Sequence, residues 1–163
     1  MTLGYYATSK KAAEGILRGS YTSEHGNLGN GYHFSKNPRY AYDNSTNPEV
    51  IILVTIMTGR CMSESSKSSD WDLAKVHDLG FDSLQNENEI CVFETSRIKC
   101  SGYIKWDQRN VLFNVYDCDF NPDDFNFLTE GKIADFNFSG SINLKGNLVA
   151  NKLNFGMNEP FRA

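Results

Sequence analysis

The stretch "VIILVTIM", Val50–Met57, is an unbroken run of apolar and β-branched residues with no alternation of polar positions. A membrane helix takes about 20 such residues. Eight of this composition read instead as a central strand covered on both faces, which requires flanking strands and a layer on each side. Upstream, "LGYYAT" (Leu3–Thr8) is short and aromatic and supplies a first strand. Ser9 then caps a helix over "KKAAEGILRG", whose Ala12, Ala13, Ile16 and Leu17 share one face, and Gly19 stops it. "GNGYHFS" (Gly29–Ser35) is a second strand entered through a glycine turn, and Asn37 before Pro38 opens a second helix over "NPRYAYDN".

Downstream the run ends at Thr58 and Gly59. "SESSKSSD" (Ser63–Asp70) reads as a mobile polar loop, and "EICVFE" and "GYIKW" as two further strands joined by a short connection over Lys99–Gly102. From Asp107 the composition turns to Asn, Asp and Phe, with short strands "KIADFNF", "SINLKG" and "NKLNF". An echo between "GSINLKGN" and "ANKLNFGM" hints at stacked rungs, but two degenerate copies do not make a repeat. The expectation is extra strands laid against the main sheet.

A chain of 163 residues with 40% hydrophobic and 22% charged residues fits one globular domain. The net charge of -4 and pI near 5.3 argue against a broad phosphate-binding face, although Lys10, Lys11 and Arg18 form a local basic group. Nucleic acid and membrane are therefore not expected partners. No basic segment leads into an apolar run at the N-terminus, so a cytoplasmic or nuclear protein is expected, with a secreted effector as the alternative. Cys61, Cys91, Cys100 and Cys118 form no CxxC pair, and His25 and His77 carry no metal spacing, so no metal is expected and neither histidine is given a role. Gly26, Gly29 and Gly31 do not make a GxGxxG fingerprint, which sets aside a Rossmann site.

In order, the blocks "YYATS", "AAEGILRGSY", "GNGYHFS", the Val50–Met57 strand closing at Gly59, "GFDSL" and "NEICVFETSRIKCSGYI" resemble the catalytic domain of the poly(ADP-ribose) polymerase family, the diphtheria-toxin-like ADP-ribosyltransferases. The resemblance spans about Leu3 to Trp106. It implies an α+β domain with the ADP-ribosyltransferase fold: a mixed, mostly antiparallel split sheet with peripheral helices. Residues 1–106 would form that core and 107–163 a β-rich extension on the same domain.

The resemblance also implies a site. The family's His-Tyr-Glu triad falls on Tyr6, His33 and Glu89, so two of three members are exchanged. Ala7, in place of the family's glycine, takes the main-chain position that holds a carboxamide, Thr8 follows it among the cofactor-binding residues, Tyr40 and Tyr42 are candidates for the second aromatic wall, and Ala41 takes a position often occupied by serine. The implied donor is NAD, and the implied reaction is transfer of a single ADP-ribose to a protein or other macromolecular acceptor with release of nicotinamide. The chemistry is coherent, because breaking the nicotinamide glycosidic bond develops positive charge on the ribose and a carboxylate such as Glu89 stabilises it. Glu87, two residues before Glu89, gives a Glu-x-Glu like that of arginine-modifying toxins, without the first-strand arginine or Ser-Thr-Ser block that accompany it there. The alternative is an inactive domain of this type serving as an interaction or regulatory module.

Overall fold

The computed structural model describes residues 1–64, 70–156 and 160–162. Most of the serine-rich stretch Ser63–Asp70 lies outside them. The first seven strands are β1 (Thr2–Thr8), β2 (Glu24–Gly26), β3 (Gly29–Ser35), β4 (Val50–Ile56), β5 (Cys61–Ser63), β6 (Ser83–Gln85) and β7 (Glu89–Val92). They are followed by β8 (Ile98–Trp106), β9 (Asn110–Tyr116), β10 (Asp119–Phe120), β11 (Ile133–Ser139), β12 (Asn143–Leu144) and β13 (Lys152–Phe155). Among the described residues four short α-helices accompany them: α1 (Lys10–Leu17), α2 (Pro38–Asp43), α3 (Leu73–Asp78) and α4 (Asn126–Thr129).

All seven residues of β4 are buried, as an uninterrupted apolar run requires. Its alternate side chains feed two cores: Ile51 and Leu53 join one cluster, while Val50, Ile52, Val54 and Ile56 join the other with Ala13 of α1. Both caps follow from local chemistry. Ser9 Oγ accepts from the Ala12 amide at 3.2 Å, and Asn37 Oδ1 accepts from the amides of Arg39 and Tyr40. Gly19, at φ +90°, sits where the first helix ends.

The fold is mixed α+β, with most strands in one large mixed sheet of order β13-β11-β9-β8-β4-β1-β3-β7-β6-β5, and β2 pairing β3 to the side. Its cohesion is uneven. β1 pairs β4 from Thr2–Ile56 to Thr8–Val50, yet β1 meets β3 at one pair only, Tyr5 opposite Ser35. The sheet is therefore nearly split between β1 and β3.

Two sequence expectations need correction. Lys99–Gly102 is not a connection: β8 begins at Ile98, the link is a short 3-10 turn at Thr95–Arg97, and the irregularity inside the strand is a register shift opposite Leu53 and Val54. The C-terminal strands do extend the main sheet, but as stacked rungs. β9, β11 and β13 pair in parallel, and β10 pairs β12 in parallel in a separate two-stranded sheet, so the chain winds between two sheets. "SINLKG" thus contributes only its Asn143–Leu144 to a strand, off the main sheet. The rungs share their core with residues 1–106, Phe113, Phe136 and Phe138 packing in one cluster with Tyr5, Ile51 and Ile104.

Candidate functional site

The weak β1/β3 seam is where the sequence-predicted residues gather. Pairing sets one row across the sheet, Leu53–Tyr5–Ser35–Glu89. Strand alternation puts His33 and Glu89 on the face of Tyr5 and turns Tyr6 to the opposite face. Only an opening between the strands lets all three approach one space. They do so: Tyr6, Ala7, Thr8, His33, Tyr40, Ala41 and Glu89 all line one cavity of about 480 Å³.

The main-chain oxygen of Ala7 accepts from Ser45 Oγ at 3.1 Å. Ser45 just follows α2 and lines the same cavity, so a serine hydroxyl reaches this region even though Ala41 itself carries none. Nothing in "DNSTN" marks Ser45 in the sequence; its place depends on where the end of α2 meets β1.

Tyr6 donates its phenol O–H to Glu24 Oε1 at 3.3 Å. Burial raises the Tyr6 pKa, with the Glu24 carboxylate adding to the effect, so the phenol remains a hydrogen-bond donor at neutral pH. His33 lies in a tight cradle. A Cβ on Gly26 would stand 2.7 Å from its Nε2, so only glycine lets β2 cross the ring at this distance. Neither ring nitrogen makes a hydrogen bond of good geometry, although the nearby Gly31 main chain favours the protonated ring. Burial lowers the His33 pKa, and Glu89 and Glu24 pull it back less strongly. The ring is neutral at pH 7.

Glu89 opens β7, where its amide donates to Asn86 Oδ1 at 2.8 Å, and its Oε1 accepts from Asn27 Nδ2 at 3.2 Å. It also lines a second cavity of about 560 Å³ with Lys36, Glu64, Gln85 and Glu87, which shares Asn27 and Tyr40 with the first. Glu89 therefore lines both spaces. A third cavity, of about 670 Å³, lies on the α1 side, with Ser9, Lys11 and Tyr21 in its wall. It shares Tyr6, Glu24, His33 and Phe34 with the 480 Å³ cavity.

Sequence reading missed Glu24 and Asn27, which sit in "SEHGNLGNG" among other exposed polar residues. They become site residues because β2 folds back on β3, pairing Glu24 with Gly31 and Gly26 with Gly29. Cys91, opposite His33 in the β3/β7 ladder, is no nucleophile: burial pushes its thiol up to about 12. Among the described residues no group of His, Cys, Asp and Glu could hold a metal ion, and no helix is long and apolar enough to cross a membrane. None of the three cavities is lined by a described residue beyond Glu89, so the described part of the C-terminal rungs stands away from the cleft. No protein-family model matches the chain, and neither does any curated protein.

Proposed function

We propose that this chain is an NAD-dependent ADP-ribosyltransferase of the kind its sequence resembles, moving one ADP-ribose to a macromolecular acceptor. The observation that carries the reading is convergence: seven positions drawn from β1, β3, α2 and β7 line a single cavity at the open seam of the sheet. In this reading Ala7 and Ser45 hold the carboxamide of the nicotinamide, while Tyr40 and the neutral His33 flank its ring. Neutrality matters, because a protonated imidazole would repel a cationic ring. Glu89 faces the sugar carbon and stabilises the charge that develops as the bond to nicotinamide breaks, the bonding pair leaving with nicotinamide. The acceptor's nucleophile then forms the new bond to that carbon and gives up its proton. Glu89 and Asn27 border the second cavity as well, which gives an acceptor its own approach to the same carboxylate.

The test is calorimetric titration with NAD together with nicotinamide release, in the wild type and in Glu89→Gln. Saturable binding with release that collapses in the variant supports the reading. No binding at millimolar NAD overturns it. One observation favours a second reading, an inactive interaction module: Tyr6, Glu89 and the Ala7 carbonyl are each already engaged by Glu24, Asn27 and Ser45.

A further inference from the structure

The β2–β3 hairpin crosses the cleft between its two lobes. It is bound on one side through Glu24 to the Tyr6 phenol and on the other through Asn27 to the Glu89 carboxylate. β2 itself pairs with β3 alone, over three residues, so it has no further ladder to hold it in place. The cavities of about 670 and 480 Å³ share Tyr6, Glu24, His33 and Phe34 as their common wall. In that wall Tyr6 and Phe34 belong to the packed sheet, their rings 6.4 Å apart edge to face. Glu24 is exposed and fixed there by a single side-chain hydrogen bond, which makes it the element of the partition able to move.

We propose that the Glu24–Tyr6 contact is an autoinhibitory latch: closed, it divides the cleft into two lobes; opened, it joins them into one groove that takes a ligand with a ring system at each end and an anionic linker. The identity of that ligand as NAD rests on the function proposed above, whereas the latch rests on the hairpin alone. The carboxylate of Glu24 works against such a ligand twice, by bridging the lobes and by repelling a negative linker as it passes. A ligand confined to one lobe does not meet the latch. The turn beyond Glu24 stays anchored, Leu28 being fully buried and the Asn30 amide donating to the Trp71 carbonyl at 2.8 Å, so the movement is confined to β2 and the Asn27–Glu89 bond remains.

The experiment compares the full chain with its Glu24→Ala variant. Amide hydrogen exchange over residues 24–35 reads the hairpin, β4 amides serve as the control for an intact fold, and calorimetry measures NAD and, separately, nicotinamide as the one-lobe probe. The latch requires faster exchange at the β2 amides in Glu24→Ala with β4 unchanged. Loss of one exposed hydrogen bond to a charged group corresponds to about threefold to tenfold, so NAD tightens by that factor while nicotinamide does not change. Unchanged exchange in β2, or a gain for nicotinamide equal to that for NAD, overturns the latch. If the wild type binds NAD and Glu24→Ala binds it no better, the latch fails and the NAD reading stands. If neither binds NAD while β2 exchange quickens, the latch stands and the NAD reading falls.

Discussion

The C-terminal end of the long sheet and the seam near its middle are built on opposite principles. At the C-terminal end β9, β11 and β13 stack in parallel, with Phe113 and Phe136 face to face at 4.3 Å and Phe120, Phe125 and Phe138 filling the space beneath. Near the middle of the sheet the β1/β3 seam is joined by one residue pair and contains a histidine whose ring nitrogens lack a hydrogen-bond partner, two engaged carboxylates and open volume. Close-packed aromatic rungs are stable because nothing needs to enter them. A cleft that admits a ligand gives up ladder hydrogen bonds and keeps polar groups half-solvated, and it depends on rigid neighbours for its geometry. Here β4 is that neighbour, bonded along its length to β1 and β8 and shared by both cores.

The contrast can be broken most forcefully at the rungs. Phe136→Ala removes a ring that is 2% exposed and stacked on Phe113. It should cost about 3–5 kcal/mol in urea unfolding, with NAD affinity of the still-folded fraction unchanged, because no described rung residue lines the cleft. At the seam the effect should reverse. Glu89→Gln should lower nicotinamide release about 10²–10³-fold and leave the unfolding midpoint where it was, since Glu89 is half-buried and its side chain accepts from Asn27 at the protein surface.

A subtler comparison uses pH. His33 has a folded-state pKa below its unfolded value of about 6.5, chiefly from burial. The unfolded chain therefore takes up this proton first. The contribution of His33 to stability is fully present above the unfolded value and is lost as pH falls towards the folded one. Unfolding of wild type and His33→Gln at pH 7.5 and 5.5 should show the larger acid loss in the wild type, and the wild type should also bind NAD less well at the lower pH. The smallest expected effect is at the outer rung: Asn154→Ala removes a 2.8 Å bond to the nearly buried Asn137 and should cost about 1 kcal/mol, with no change in the cleft.

How much of this was legible depends on the range of the interaction. Val50–Met57 declared itself because a fully buried strand carries its own composition, and Ser9, Gly19 and Asn37-Pro38 because caps act over three or four residues. The rungs were hidden by an insertion. The chain spends Pro122–Thr129 on a 3-10 turn and α4 between β10 and β11, so the spacing from β9 to β11 differs from that between β11 and β13. The apolar-Asn-apolar triplets Phe113–Val115, Phe136–Phe138 and Leu153–Phe155, which do lie in register, follow no fixed period. The echo that the sequence displays, "GSINLKGN" against "ANKLNFGM", joins segments that lie on different sheets, β12 and β13.

Local chemistry thus determined the strands β1, β3 and β4, the helices α1 and α2 and where those two begin, and which residue types were available for a site: a phenol, an imidazole and a carboxylate on three strands. Only the tertiary structure decided that those groups meet. Register across β4, β1, β3 and β7 sets the row that ends at Glu89, the single pair at Tyr5 and Ser35 leaves the gap beside it, and the fold-back of β2 brings Glu24 and Asn27 into contact with Tyr6 and Glu89. A strand's composition is fixed by whether its faces are buried, which the residues themselves encode. The contacts across a seam are between groups 18 and 62 residues apart, and they exist only once the whole sheet has formed.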